Sequence, residues 1–164
     1  MRRIIAYALA IIYTSLLWAA GEPSITQSTI GNGLESQTLN VLAKDRLGRL
    51  WVGSDVGISL ISNGTVTNIR EIVSGGGLVM LGNVNSIVCT NTALIACDDR
   101  ILHYDSRNSF AETLKYGDAI LHTKSLLLEG DVAVFYDPDM RGLFSYDLET
   151  AQCQQLATFT GQED

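Results

Sequence analysis

Residues 45–61, DRLGRLWVGSDVGISLI, constrain the fold more than any other part of this chain. They compress a tight turn, a short strand around Trp51, a glycine-marked loop and a second short strand into seventeen positions. Asp45 and Gly48 bracket a four-residue turn, in which an acidic first residue bonds the turn backbone and glycine suits the exit. Trp51 supplies a large apolar surface for a neighbouring sheet, and Gly53, on the same strand face, leaves room for that neighbour. Gly57 marks a loop position that calls for positive φ. Asn63-Gly64 then closes a two-residue hairpin into a third strand, TVTNI. Asn63-Gly64-Thr65 also has the form of a glycosylation sequon, but turn geometry fully accounts for the dipeptide.

The rest of the chain repeats this style. Short apolar runs (LVML, SIVC, ALIAC, ILHY, SLLLEG, VAVFY, LFSY) are cut by turn residues, with no long amphipathic helix. Many are apolar on both alternate sets of positions, the pattern of strands covered on both faces. Residues 118–129, DAILHTKSLLLE, read as strand but have the length of a three-turn helix. The segment 51–58 aligns without gaps on 94–101, an offset of 43; 101–105 aligns on 143–147, an offset of 42. In the third unit, residues 137–142 form a loop longer by about three residues. A period near 42 is that of a four-stranded propeller blade. The chain therefore reads as all-β: about three blades of four antiparallel strands, an incomplete propeller, with units at 39–81, 82–123 and 124–164 behind a lead-in at 22–38. Closed propellers use four to eight blades, so one side face of the last blade is expected to be apolar and open, inviting association.

The first 21 residues read as an export signal. Arg2 and Arg3 precede an uncharged apolar stretch from Ile4 to Trp18, and Ala19-Ala20-Gly21 offers small residues for cleavage after Gly21. An uncleaved anchor is the alternative, at the short edge of what spans a bilayer. Cleavage leaves 143 of the 164 residues, with nine basic and 18 acidic side chains. That acidic surface argues against nucleic acid and anionic lipid as partners. The signal places the chain in the periplasm or outside the cell, with a membrane tie only through an uncleaved signal. Cys89, Cys97 and Cys153 sit among strand residues and read as buried apolar positions; their odd number leaves at least one thiol unpaired.

Candidate chemistry is sparse. Asp98-Asp99, Asp137, Asp139 and Glu129 are the acids with the chemistry to bind a cation or serve a sugar as acid and base, yet each pair falls where a strand turns. His103 sits in an ordinary strand pattern, and neither it nor His122 has a helical phosphoacceptor context. No triad or Cys/His cluster stands out. The expectation is a non-enzyme with no catalytic, metal or cofactor residues to name and a ligand site unknown.

Residues 45–54 followed by Gly57-Ile58, with the upstream Gly33-Leu34 and polar stretch 35–40, are similar to the two-component regulator propeller repeat. The clear match covers roughly residues 31–69; later units keep the period without the tryptophan or the Asp-x-x-Gly turn. A signal followed closely by this lead-in resembles the start of Bacteroidetes-type hybrid two-component sensors. The resemblance implies the opening segment of a periplasmic ligand-sensing propeller, for oligosaccharides released from glycans. It implies a longer parent carrying a histidine kinase that this chain lacks, with the remaining blades or self-association as partners. A secreted propeller scaffold unconnected to a kinase is the alternative.

Overall fold

The computed structural model describes residues 33–160; the signal sequence and its cleavage position lie outside them. Among the described residues every regular element is a strand, and none forms a helix that could cross a membrane. Three four-stranded antiparallel meanders follow one another. The first comprises β1 (Leu39–Lys44), β2 (Leu50–Ser54), β3 (Ile58–Ser62) and β4 (Thr65–Ile69). A hairpin, β5 (Glu71–Ser74) and β6 (Gly77–Met80), leads to the second: β7 (Val84–Cys89), β8 (Ala93–Cys97), β9 (Ile101–Asp105) and β10 (Phe110–Thr113). A shorter hairpin, β11 (Lys115–Tyr116) and β12 (Ala119–Ile120), precedes the third: β13 (Leu127–Glu129), β14 (Val132–Asp137), β15 (Gly142–Asp147) and β16 (Gln152–Thr158).

The meanders stack as blades because each strand alternates its side chains between two cores. Trp51 and Ile58 of blade 1 meet Ile87, Ile95 and Leu102 of blade 2 in one cluster. Leu94, Ala96 and Ile101, on the opposite face of blade 2, meet Ala133, Phe135 and Phe144 of blade 3 in the other. All five residues of β8 are therefore buried, which explains a run apolar at every position.

The opening cassette behaves as its residue types demand. Asp45 Oδ1 accepts from the backbone N–H of Leu47 (3.0 Å) and Arg49 (2.9 Å), and the Gly48 N–H donates to the Asp45 carbonyl at 3.0 Å. Trp51 is buried and meets the ring of Tyr104 in blade 2 edge-on, centroids 6.0 Å apart. A Cβ on Gly53 would lie 2.5 Å from Val41 Cγ1 and 2.8 Å from Val84 Cγ1, so this glycine sets how closely blades 1 and 2 approach. Asn63 and Gly64 both take positive φ, 49° and 77°, as a type I′ turn requires.

The repeat holds in the register. Trp51 pairs with Leu60 as Leu94 pairs with His103, both shifted by 43. Ala93 pairs with Tyr104 and Ala133 with Tyr146, so the loop of the third hairpin is two residues longer, not three. Residues 118–129 contain no helix: a short strand ends at Ile120, Leu121 and Leu126 are buried between blades, and β13 follows. The hairpin β5–β6 is an addition to the four-strand pattern. β5 pairs parallel to β10 through Phe110 and Val73, extending the blade 2 sheet to six strands.

The two ends of the stack differ. On the outward face of blade 1, Val52 and Ser59 are buried, and residues 33–36 attach there: Asn68 donates to the Gly33 carbonyl (2.9 Å), Arg70 pairs with Glu35 (2.5 Å) and Ser36 donates to Asp55 (2.5 Å). The outward face of blade 3 is open and apolar. Leu127 (67% exposed), Tyr136 (43%), Val134 and Leu143 stand where blade 2 has Val88, Ala96, Leu94 and Ile101, the last three of which blade 3 covers completely. Phe159 packs edge-on against Tyr136 and extends this surface.

Candidate functional site

Asn40 and Asn85 occupy equivalent places in the innermost strands of blades 1 and 2. The β1–β2 register breaks between Leu39 and Val41, and the β7–β8 register between Val84 and Ser86, so each asparagine is the extra residue of a bulge. A bulge re-aims its side chain out of the regular pleat, and both asparagines turn towards the seam between blades. Asn40 Nδ2 donates to Asn83 Oδ1 (2.8 Å) and to the Val84 carbonyl (3.0 Å). Asn83 Nδ2 donates to Asn85 Oδ1 and Asp98 Oδ1, both at 3.1 Å. Asp98 Oδ1 also accepts from Asn85 Nδ2 (3.0 Å) and from Lys124 Nζ (2.5 Å), the latter reaching from the segment before blade 3. One polar row thus runs across blades 1 and 2 to the segment that leads into blade 3.

Asp98 is fully ionised in this row: hydrogen bonds from Lys124 and the two asparagine amides hold its carboxyl well below the usual range. Only Oδ1 is engaged among the described residues, and the side chain remains half exposed. The row offers fixed amide donors and acceptors, a carboxylate and a neutralised ammonium, chemistry suited to a neutral, hydroxyl-rich ligand.

Of the remaining candidate acids, Asp99 and Asp137 hold local structure. Asp99 pairs with Arg100. Asp137 is completely buried and accepts the backbone N–H groups of His122 (2.8 Å), Asp139 (2.9 Å) and Met140 (2.9 Å), holding the longer loop. Asp139 is exposed, 3.8 Å from His122 Nε2, and Glu129 is the last residue of β13. Among the described residues no group of three His, Cys, Asp or Glu side chains is placed to hold a metal ion. Cys89, Cys97 and Cys153 are all free thiols; burial pushes Cys89 and Cys97 up to about 12, which makes them inert, while Cys153 is half-buried.

His103 does more than occupy a strand. Its Nε2 meets Thr92 Oγ1 and its Nδ1 meets the Tyr146 hydroxyl of blade 3, both at 2.8 Å, with the two rings edge-on. Burial lowers its pKa, against the opposing influence of Glu112 and Asp105, so the neutral imidazole is the resting form. A cleft of about 560 Å³, apart from the polar row, lies between blade 1 and the β5 strand, walled by Glu35, Arg49, Arg70, Tyr104 and Ser106.

Two signals in the chain mark the polar row. Asn40 and Asn85 each follow an aliphatic residue at the start of an inner strand, and their equivalence emerges once the two extra residues of the Asp45–Arg49 turn are counted. The contribution of Lys124 has no such signal.

Solved structures share this arrangement of stacked, mostly four-stranded antiparallel sheets. The extracellular domain of the hybrid two-component system BT3049 from B. thetaiotaomicron superposes with a TM-score of 0.60 at 17% identity over 79% of the chain. The extracellular domain of BT4673 from the same organism, described both as a hybrid two-component and as a one-component system, superposes with a TM-score of 0.53 at 19% and 17% identity over 76% of the chain. At these identities the likeness establishes the fold. The chain spans 16% to 19% of the length of those domains. No family model matches the sequence, and no curated protein matches it.

Proposed function

We propose that this chain is part of a periplasmic ligand-sensing region of a two-component signalling system, and that its ligand class is glycan-derived oligosaccharides. The observation that carries the reading is the fold shared with extracellular domains of such systems. The polar row supports the ligand class: amides, a carboxylate and an ammonium already locked in mutual hydrogen bonds match sugar hydroxyls better than a phosphate or a hydrophobe. The part played by the chain is recognition without catalysis, and its partners are the further blades that would cover the outward face of blade 3.

Calorimetric titration of the chain with a panel of neutral and uronic-acid-containing oligosaccharides tests this. Binding of a neutral oligosaccharide, weakened at least ~10-fold in Asp98→Ala, is the expected outcome. Binding that is indifferent to Asp98→Ala and Asn85→Ala moves the site away from the seam. No heat with any sugar removes the ligand class for this segment.

A further inference from the structure

The β5–β6 hairpin extends the blade 2 sheet beyond its four strands: Ile72 of β5 joins the core between blades 1 and 2, and the six-stranded sheet ends at β6. Its turn, Gly75-Gly76, has φ of 59° and 87°, a two-residue connection in which Ser74 and Gly77 close the hairpin as a hydrogen-bonded pair. Alternation then makes Ile72 and Val79 a hydrogen-bonded pair and leaves Val73–Leu78 and Glu71–Met80 as the intervening ones. The Leu81 N–H donating to the Arg70 carbonyl at 2.8 Å continues the same alternation. The backbone N–H and C=O of Leu78 and Met80 therefore point away from β5, into the open edge, and none of them makes a backbone bond among the described residues outside the sheet.

Among the described residues nothing guards that edge. The strand reads Gly-Leu-Val-Met, with no proline, no charge and no bulge, the devices by which exposed edges are ordinarily blunted. Leu78 is 66% exposed and Met80 63%, and cross-strand pairing continues their apolar stripe through Val73 to Phe110.

We infer that β6 is a self-association edge, on which a second copy of this chain pairs its own β6 antiparallel about a two-fold axis through Val79. This register is singled out by the geometry. It sets each Leu78 opposite the partner's Met80, so that all four outward-facing backbone groups of each strand find partners; an axis at Leu78 would set Met80 against the turn. The apolar stripe then runs unbroken across the axis, an isologous contact of the closed kind. Charge permits it. Glu71 is the acidic residue nearest the edge on this face, and the two copies of its strand would be three strand spacings apart, about 14 Å. That exceeds the screening length of about 8 Å at physiological salt. The surface is small, so the contact belongs to the weak and transient class. It lies on the outer rim, independent of the polar seam and of the blade 3 face, and it stands or falls apart from the oligosaccharide reading.

Cysteine cross-linking in the full chain carrying Cys153→Ser tests the register, because Cys89 and Cys97 are buried. Across a two-fold axis Val79 faces its own copy in a non-hydrogen-bonded pair, with Cα atoms about 4.5 Å apart, inside the range a disulfide spans. Val79→Cys should oxidise to a covalent dimer at least ~5-fold faster than Leu78→Cys, whose copies are displaced along the strand. In sedimentation equilibrium, Leu78→Lys with Met80→Lys should weaken dimerisation at least ~10-fold. Tyr136→Ser with Phe159→Ser, which alters the blade 3 face, should leave the cross-linking preference unchanged. Equal cross-linking at positions 78 and 79, a chain monomeric at every concentration, or association that survives the two lysines would each overturn the inference.

Discussion

Replacing Asp45 with alanine removes the group on which the first turn and Trp51 both depend. Its Oδ2 accepts from Trp51 Nε1 at 3.0 Å and from Arg49 Nε at 2.6 Å, while Oδ1 takes the N–H groups of Leu47 and Arg49. The indole lies in a fully buried residue, so its N–H would be left without an acceptor, at a cost of about 1–3 kcal/mol. The Arg49 side chain is 20% exposed and keeps its bond to Ser106 Oγ and its position over the Trp51 ring. Its lost ion pair therefore costs closer to the ~1 kcal/mol of a partly solvated pair than the larger penalty of a buried one. Water can reach the two turn amides, so the total is about 3 kcal/mol, or roughly 10 °C in Tm for a domain of this size. Asp45→Asn keeps one acceptor oxygen and should lose about half as much. Urea unfolding at pH 7, followed by the fluorescence of Trp51, measures both. Burial works to raise the Asp45 pKa, but the hydrogen bonds from Trp51 and Arg49 outweigh it and hold the group below its ordinary value. The stabilisation is thus complete above the unfolded-state pKa of about 3.9 and fades as pH falls below it. The gap between wild type and Asp45→Asn should accordingly narrow towards pH 3. An Asp45→Ala variant within about 0.5 kcal/mol of wild type at pH 7 would refute the account of the cassette.

Two further outcomes bear on the interfaces between blades. Gly53→Ala forces a Cβ against Val41 and Val84 and should cost about 1–3 kcal/mol; Val84→Ala should recover part of that loss, and a purely additive double mutant would contradict the close approach. Neutral His103 joins blade 2 to Tyr146 of blade 3, and its lowered pKa means that the unfolded chain binds the proton more readily. Stability should hold above about pH 6.5 and decline as pH falls through that value, with a shallower decline in His103→Gln. A Tm that is flat or rises between pH 7.5 and 5.5 in wild type would exclude that role.

What could be read in advance depended on how far apart in the chain the causes lie. The cassette at 45–61 was legible because its determinants are local: the Asp45 carboxylate reaches amides two and four residues on, and Asn63-Gly64 forms a turn of its own. The double burial of β8 was legible because both faces had to be apolar. The six-stranded extension was not, since Phe110 and Val73 pair in parallel across 37 positions and a Ser-Gly-Gly-Gly-Leu-Val-Met run signals a hairpin without saying where it docks. The second role of Asp45, as acceptor for the indole, was also hidden. It depends on Trp51 folding back over the turn, a choice of side-chain direction that residue types do not dictate. His103 and Tyr146 stand 43 residues apart, yet they meet because adjacent blades overlay one period on the next; only a register places their polar atoms together. The seam followed the same rule, with the bulges at Asn40 and Asn85 repeating a backbone irregularity that a hydrophobic period passes over.

The unequal ends of the stack give it a direction in time as well as in space. Of the three blades, blade 1 leaves the ribosome first, with residues 33–36 ahead of it and able to bind its outward face while the other is still bare. Each later blade then arrives at a surface prepared by the one before it, Trp51 and Ile58 waiting for blade 2, Leu94 and Ile101 for blade 3. Addition in this order lets nearest-neighbour contacts propagate from blade to blade, each new blade meeting the face presented by the one before it.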